Sequence, residues 1–156
     1  MNLARYLTEE RIDLALGEHF DEERPATHER LVERMAALLV TSPDIVNATK
    51  LGNDLVNRER RAPSLPGHGV ALPHVRTLQA RRLVMAVGIC RVGLALPTPD
   101  EEPVRLVIAL VGPPYDDKAY LGVYRTLGER LQQPEWTHSI LSADLPGEVL
   151  RAMATA

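Results

Sequence analysis

The chain has 156 residues, enough to bury a substantial core, and its length reads as a single domain over 1–156. With 45% apolar and 25% charged residues it has the composition of an ordinary globular protein, and its formal charge of −3 argues against a dedicated nucleic-acid binder, which carries a basic face. Cys90 is the only cysteine, so an internal disulfide is excluded. No signal pattern or membrane-length apolar run is present, so the expectation is a cytoplasmic protein with no direct membrane insertion.

The alternation Ile12-Asp13-Leu14-Ala15-Leu16 predicts a short strand after an opening turn. Asp21 to Pro25 reads as a loop. Thr27 is placed to cap a helix whose inward face is Leu31, Met35, Leu38 and Leu39. Ser42-Pro43-Asp44 predicts the start of a second helix, with Ile45, Ala48, Leu55 and Val56 as its stripe, ending near Arg58-Glu59. Leu83 to Cys90, Val92 to Leu96 and Val104 to Val111 read as three extended segments, the last stopped by Gly112-Pro113-Pro114. Cys90 is expected as a buried structural thiol. Asp116 or Asp117 can cap a helix facing in through Tyr120, Val123, Leu127 and Leu131, and helical segments at Pro134–Leu141 and Leu145–Met153 follow. Strands and helices mingle without strict alternation, so the fold class is α/β or α+β with a mixed parallel/antiparallel sheet flanked by helices.

The most informative stretch is Gly67-His68-Gly69-Val70-Ala71-Leu72-Pro73-His74. Val70 and Leu72 alternate with Ala71 as in a buried strand, and Pro73, lacking an N–H, is expected to end it. His74 then stands where strand meets solvent, either closing a turn or presenting a reactive imidazole. His19, His28 and His138 lie in polar or helical contexts and read as surface histidines. No metal-ligand cluster and no Walker or Rossmann loop is present, so no cofactor is expected.

Arg58-Glu59, the spacer through Ser64, the Gly-x-Gly turn and the apolar segment closing in Pro73-His74 together resemble the active-site signature of enzyme IIA of the fructose/mannitol and nitrogen-regulatory type. That family belongs to the bacterial phosphoenolpyruvate:sugar phosphotransferase system. The resemblance covers nearly the whole chain and implies a mixed sheet flanked by helices. It implies His74 as phosphoryl acceptor from HPr or nitrogen-type HPr, with a IIB component or a regulatory target downstream.

Arg58 is the implied phosphoryl-gripping cation, against the alternative of a helix-end salt bridge with Glu59. Backbone N–H groups of Gly67, His68 and Gly69 are candidate phosphate donors, although an ordinary turn explains a Gly-x-Gly equally well, and His68 is favoured as a turn residue. Two departures stand out. Tyr120 occupies the place where the family usually carries a second histidine, and a phenol donates a hydrogen bond but supplies no cation. Val75 replaces the small residue after Pro-His and is expected to add bulk beside the nucleophile. These departures keep a second reading open: a IIA-like module that regulates a partner by contact without phosphoryl transfer.

Overall fold

The computed structural model describes residues 1–155, and all structural statements refer to these. Five strands form one sheet: β1 (Ile12–Asp13), β2 (Val70–Ala71), β3 (His74–Arg76), β4 (Val84–Leu94) and β5 (Val104–Gly112). The long antiparallel pair β4–β5 is its centre. β1 adds parallel to β4, while β2 and β3 both add parallel to the far side of β5.

Both faces of the sheet are covered over Val84–Cys90 and Leu106–Val111, which is why these segments read as continuous apolar runs. The period of two divides them. Val84, Ala86, Val107, Ala109 and Val111 face one core with α1 (His28–Leu39) and α2 (Ala48–Arg61). Met85, Val87, Ile89, Leu106, Ile108 and Leu110 face the other, with α3 (Asp117–Leu131), α4 (Pro134–Leu141) and α5 (Pro146–Ala154). Small residues on the first face admit the α1–α2 pair, and Leu31, Met35, Leu39, Leu51 and Leu55 interlock there without exposure.

Local signals set the helix ends. Thr27 accepts from the Arg30 N–H, Asn47 from Lys50 and Asp116 from Ala119. The predicted helix start at Ser42-Pro43-Asp44 is a turn instead. Ser42 Oγ caps only the Asp44 N–H at 3.1 Å, and the Val46 N–H is spent on Gln79 O at 2.7 Å, so α2 begins five residues later, behind Asn47. It also runs past Glu59 to Arg61.

The extended pieces predicted at 83–90 and 92–96 are largely one strand, β4, with an irregularity between Ile89 and Leu94. Gly93 there takes a φ of 87°, which a β-carbon would not tolerate. The 12–16 alternation gives only a two-residue strand before a 3-10 turn at Leu16–His19. Cys90 is buried and unpaired, as expected. None of the described helices is long and apolar enough to cross a membrane.

Candidate functional site

The edge of the sheet at β2 and β3 positions the site. The apolar run does not end at His74: Leu72 and Pro73 interrupt the strand, and His74 opens β3, paired with Leu110 of β5. Pro73 is tolerated because its carbonyl, which accepts from the Leu110 N–H at 3.0 Å, is the group the ladder uses. The interruption leaves the Leu72 carbonyl outside the ladder, and His74 Nδ1 donates to it at 2.7 Å. In the neutral ring that bond selects the Nδ1–H tautomer, whose Nε2 carries the lone pair and has no protein partner among the described residues.

The end of α2 supplies the second wall. Glu59 is only 1% exposed, yet its carboxylate accepts from the Ser64 N–H at 2.9 Å, the Ser64 hydroxyl at 2.7 Å and the His74 N–H at 3.4 Å. Burial works to raise its pKa, but His28, Ser64 and the His74 N–H outweigh it and hold the carboxyl below its usual range. His28 is therefore not a surface histidine. Its side chain is 16% exposed, and Nε2 lies 3.2 Å from Glu59 Oε1, too oblique for a hydrogen bond but close enough to pair when protonated. His19 meets the expectation better, pairing at the surface with Asp13, and His138 is exposed.

Arg58 stands at the helix end and beside the groove. Nη1 donates to Ala62 O at 2.8 Å and lies 3.7 Å from Glu59 Oε2, so it does brace the helix end. It also lines, with Ser64, Leu72, His74 and Tyr124, an open groove of about 320 Å³. A guanidinium and an imidazole thus share one small concavity.

The third wall is α3. Tyr120 is buried, 6.5 Å from the His74 ring between centroids, and the Arg76 guanidinium lies 5.1 Å over its face. Its hydroxyl has no hydrogen-bond partner. Burial, with the neighbouring Tyr124, pushes the phenol well above its ordinary pKa, so it is a neutral donor at any working pH. Arg76 is held in place by Pro114 O and by an ion pair with Asp117.

Tyr124 was not singled out from the sequence, yet its ring is nearer to His74 than that of Tyr120, at 5.1 Å. The signal was available: it lies four residues after Tyr120, on the same helical face.

Two expectations change. Gly67-His68-Gly69 forms a left-handed turn, φ 95°, 57° and 77°, but the His68 N–H donates to Asp100 at 2.8 Å and its side chain is 93% exposed. With Leu72 and Tyr124, Gly67 and His68 line a neighbouring, more apolar groove and not the concavity at His74. His68 is a turn residue, as favoured. Val75 does not crowd His74, because strand alternation turns it to the opposite face, against the α1–α2 core. Among the described residues no group of His, Cys, Asp and Glu could hold a metal ion.

Comparisons with known proteins agree with this architecture. The family model described as "Phosphoenolpyruvate-dependent sugar phosphotransferase system, EIIA 2" matches residues 19–155. The "PTS system fructose-specific EIIA component" of Haloferax volcanii is 24% identical over 123 residues, covering 79% of this chain and 80% of that protein. A mannosylglycerate-specific EIIABC component of Escherichia coli is 30% identical over 142 residues, which are 90% of this chain but only 21% of that longer protein.

Among solved structures, nitrogen regulatory protein IIA-Ntr of Neisseria meningitidis superposes with a TM-score of 0.78 at 24% identity, covering 96% of this chain and 97% of the other. IIA mannitol of Escherichia coli superposes with a TM-score of 0.72 at 20% identity, covering 95% and 99%. With the family model spanning most of the chain and the sheet order described above, the chain belongs to the EIIA type 2 family of the phosphoenolpyruvate-dependent sugar phosphotransferase system.

Proposed function

We propose that the chain is a phosphohistidine carrier. It takes a phosphoryl group from HPr or nitrogen-type HPr on Nε2 of His74 and passes it to a IIB component or holds it as a regulatory signal. The observation that carries this reading is the 2.7 Å contact of His74 Nδ1 with Leu72 O. Nδ1 is committed to Leu72 O, so the remaining nitrogen offers its lone pair to the groove that Arg58 lines.

Phosphoryl transfer asks little covalent chemistry of a protein and mostly needs positioning and charge already in place. Arg58 supplies a bidentate cation, and Tyr120 supplies a hydroxyl with no other acceptor. The relatives' names support the same class: one is a fructose-specific EIIA component, and a complex of IIA mannitol with phosphorylated IIB mannitol shares the fold at a TM-score of 0.73.

Incubation with phosphoenolpyruvate, enzyme I and each HPr type tests the proposal. The expected result is an acid-labile, base-stable phosphate by intact mass, lost in His74→Ala. No gain from folded protein with either donor would remove the reading. It would favour instead a contact-only regulator, a reading motivated by a wall of two phenols around His74 where the family usually adds a cation.

A further inference from the structure

We infer that Ser64 and Glu59, backed by His28, form a relay that keeps a proton on Nδ1 of His74 and thereby sets how readily a phosphoryl group leaves Nε2. The inference rests on the phosphocarrier reading of His74. The geometry is a chain of polar contacts running inward from the groove. Ser64 Oγ lies 3.3 Å from Nδ1, so the ring N–H is shared between Leu72 O and the serine. The serine proton is given to Glu59 Oε2 at 2.7 Å, which turns the hydroxyl lone pair towards the ring. The Leu72 N–H donates to Ser64 O at 2.9 Å, holding the two segments in register.

The chemistry gives this chain a task. When Nε2 attacks phosphorus, the N–P bond forms as the donor's bond to phosphorus breaks. Nδ1 keeps its proton, so the ring becomes cationic. When the phosphoryl group departs, the N–P electron pair returns to Nε2. With Nδ1 protonated the leaving group is a neutral imidazole; with Nδ1 bare it is an imidazolate, a far poorer one. A buried carboxylate acting through one hydroxyl stabilises the cationic ring.

The other charged or titratable groups facing the ring are Arg58 of α2, Tyr120 and Tyr124 of α3 and, across Tyr120, Arg76. The arginines oppose a ring cation, and Glu59 is the carboxylate linked to the ring, through the Ser64 hydroxyl. His28, from α1, sits behind Glu59, with Nε2 3.2 Å from Oε1. Ser64, Glu59 and His28 are thus positioning residues acting through His74.

The test loads the full chain with phosphoramidate, a small donor that needs no protein partner, and follows phosphoryl loss to water by intact mass. At pH 8, Ser64→Ala should lose phosphate roughly ten- to hundredfold more slowly than the parent, the scale of one hydrogen bond to a charged group. Ser64→Thr should restore the rate, and Glu59→Gln should move it the same way as Ser64→Ala. Below pH 5 all variants should converge, because bulk protons then supply what the relay holds. A purely structural defect would show no such convergence.

In the unloaded chain, the Nδ1 proton should appear as a slowly exchanging downfield resonance that exchanges faster in Ser64→Ala. Parental rates in folded Ser64→Ala, a defect equal at every pH, or an unchanged Nδ1 resonance would each overturn the relay. Loading by phosphoramidate without transfer from either HPr would instead remove the carrier reading and leave the relay standing.

Discussion

Replacing Tyr120 with phenylalanine should move the resting and the phosphorylated chain in opposite directions. The ring is 5% exposed and packs between His74 and Arg76, contacts that phenylalanine keeps. The hydroxyl is buried with no partner, a state that costs about 1–3 kcal/mol. Removing it should stabilise the unmodified chain by about 1 kcal/mol, or roughly 2–4 °C in Tm for a protein of this size.

A phosphoryl group on Nε2 would provide the missing acceptor. A hydrogen bond to a charged group contributes about 1.5–3 kcal/mol, so its loss should shift the transfer equilibrium back towards the donor roughly ten- to hundredfold. Thermal unfolding of the unmodified chain and intact-mass titration against phosphorylated HPr read the two effects separately. A lower Tm together with an unchanged transfer equilibrium would refute the reasoning, since the hydroxyl would then be satisfied at rest and idle in the loaded state.

Arg58→Lys should retain the helix-end charge but lose the bidentate grip, lowering the rate of phosphorylation by HPr about tenfold in a stopped-flow or quench experiment; an unchanged rate would confine Arg58 to the Ala62 and Glu59 contacts. Gly112→Ala places a β-carbon in collision with Leu83 Cδ2 and 3.1 Å from Tyr120 Cδ2. Overpacking of this kind should cost about 1–3 kcal/mol, read by urea unfolding, and a neutral result would mean that Leu83 relaxes freely.

Glu59 is depressed in the folded chain, so the unfolded state binds its proton first. Its stabilising contribution is complete above the ordinary value near pH 4.5 and is lost as pH falls through the lower folded value. In urea unfolding at a series of pH values, Glu59→Gln should flatten that acid limb. An unaltered limb would assign it to other carboxylates.

The sequence was most legible where one residue type has one use. Thr27 and Asp116 cap helices because their side-chain oxygens sit three residues before an unpaired N–H, a relation visible in one dimension. The two central strands were legible because over Val84–Cys90 and Leu106–Val111 burial on both faces leaves no polar residue to blur the run. Ser42-Pro43-Asp44 misled because its cap and proline satisfy the same local rule, and only the distant Gln79 carbonyl shows that this backbone is engaged elsewhere.

In the site, His74 and Arg58 were singled out by the family resemblance of the stretch from Arg58-Glu59 to Pro73-His74, and spacing alone left a turn and a helix-end salt bridge open for them. The nearest aromatic ring, Tyr124, needed the helical period to be followed one step further. The burial of His28 against Glu59 was not readable, since it depends on how α1 packs on the end of α2.

The interruption at Leu72–Pro73 has a consequence for solubility. β2 and β3 form the last strand on their side of the sheet, and such an edge offers alternate backbone groups to any passing chain. Around the interruption three outward groups are engaged: the Leu72 N–H by Ser64 O, the Leu72 carbonyl by the His74 ring, and the His74 N–H by Glu59. The contacts around His74 therefore also obstruct strand addition at this point of the edge. Variants that empty them, Glu59→Ala above all, would uncover part of a pairing edge, so self-association is the expected outcome.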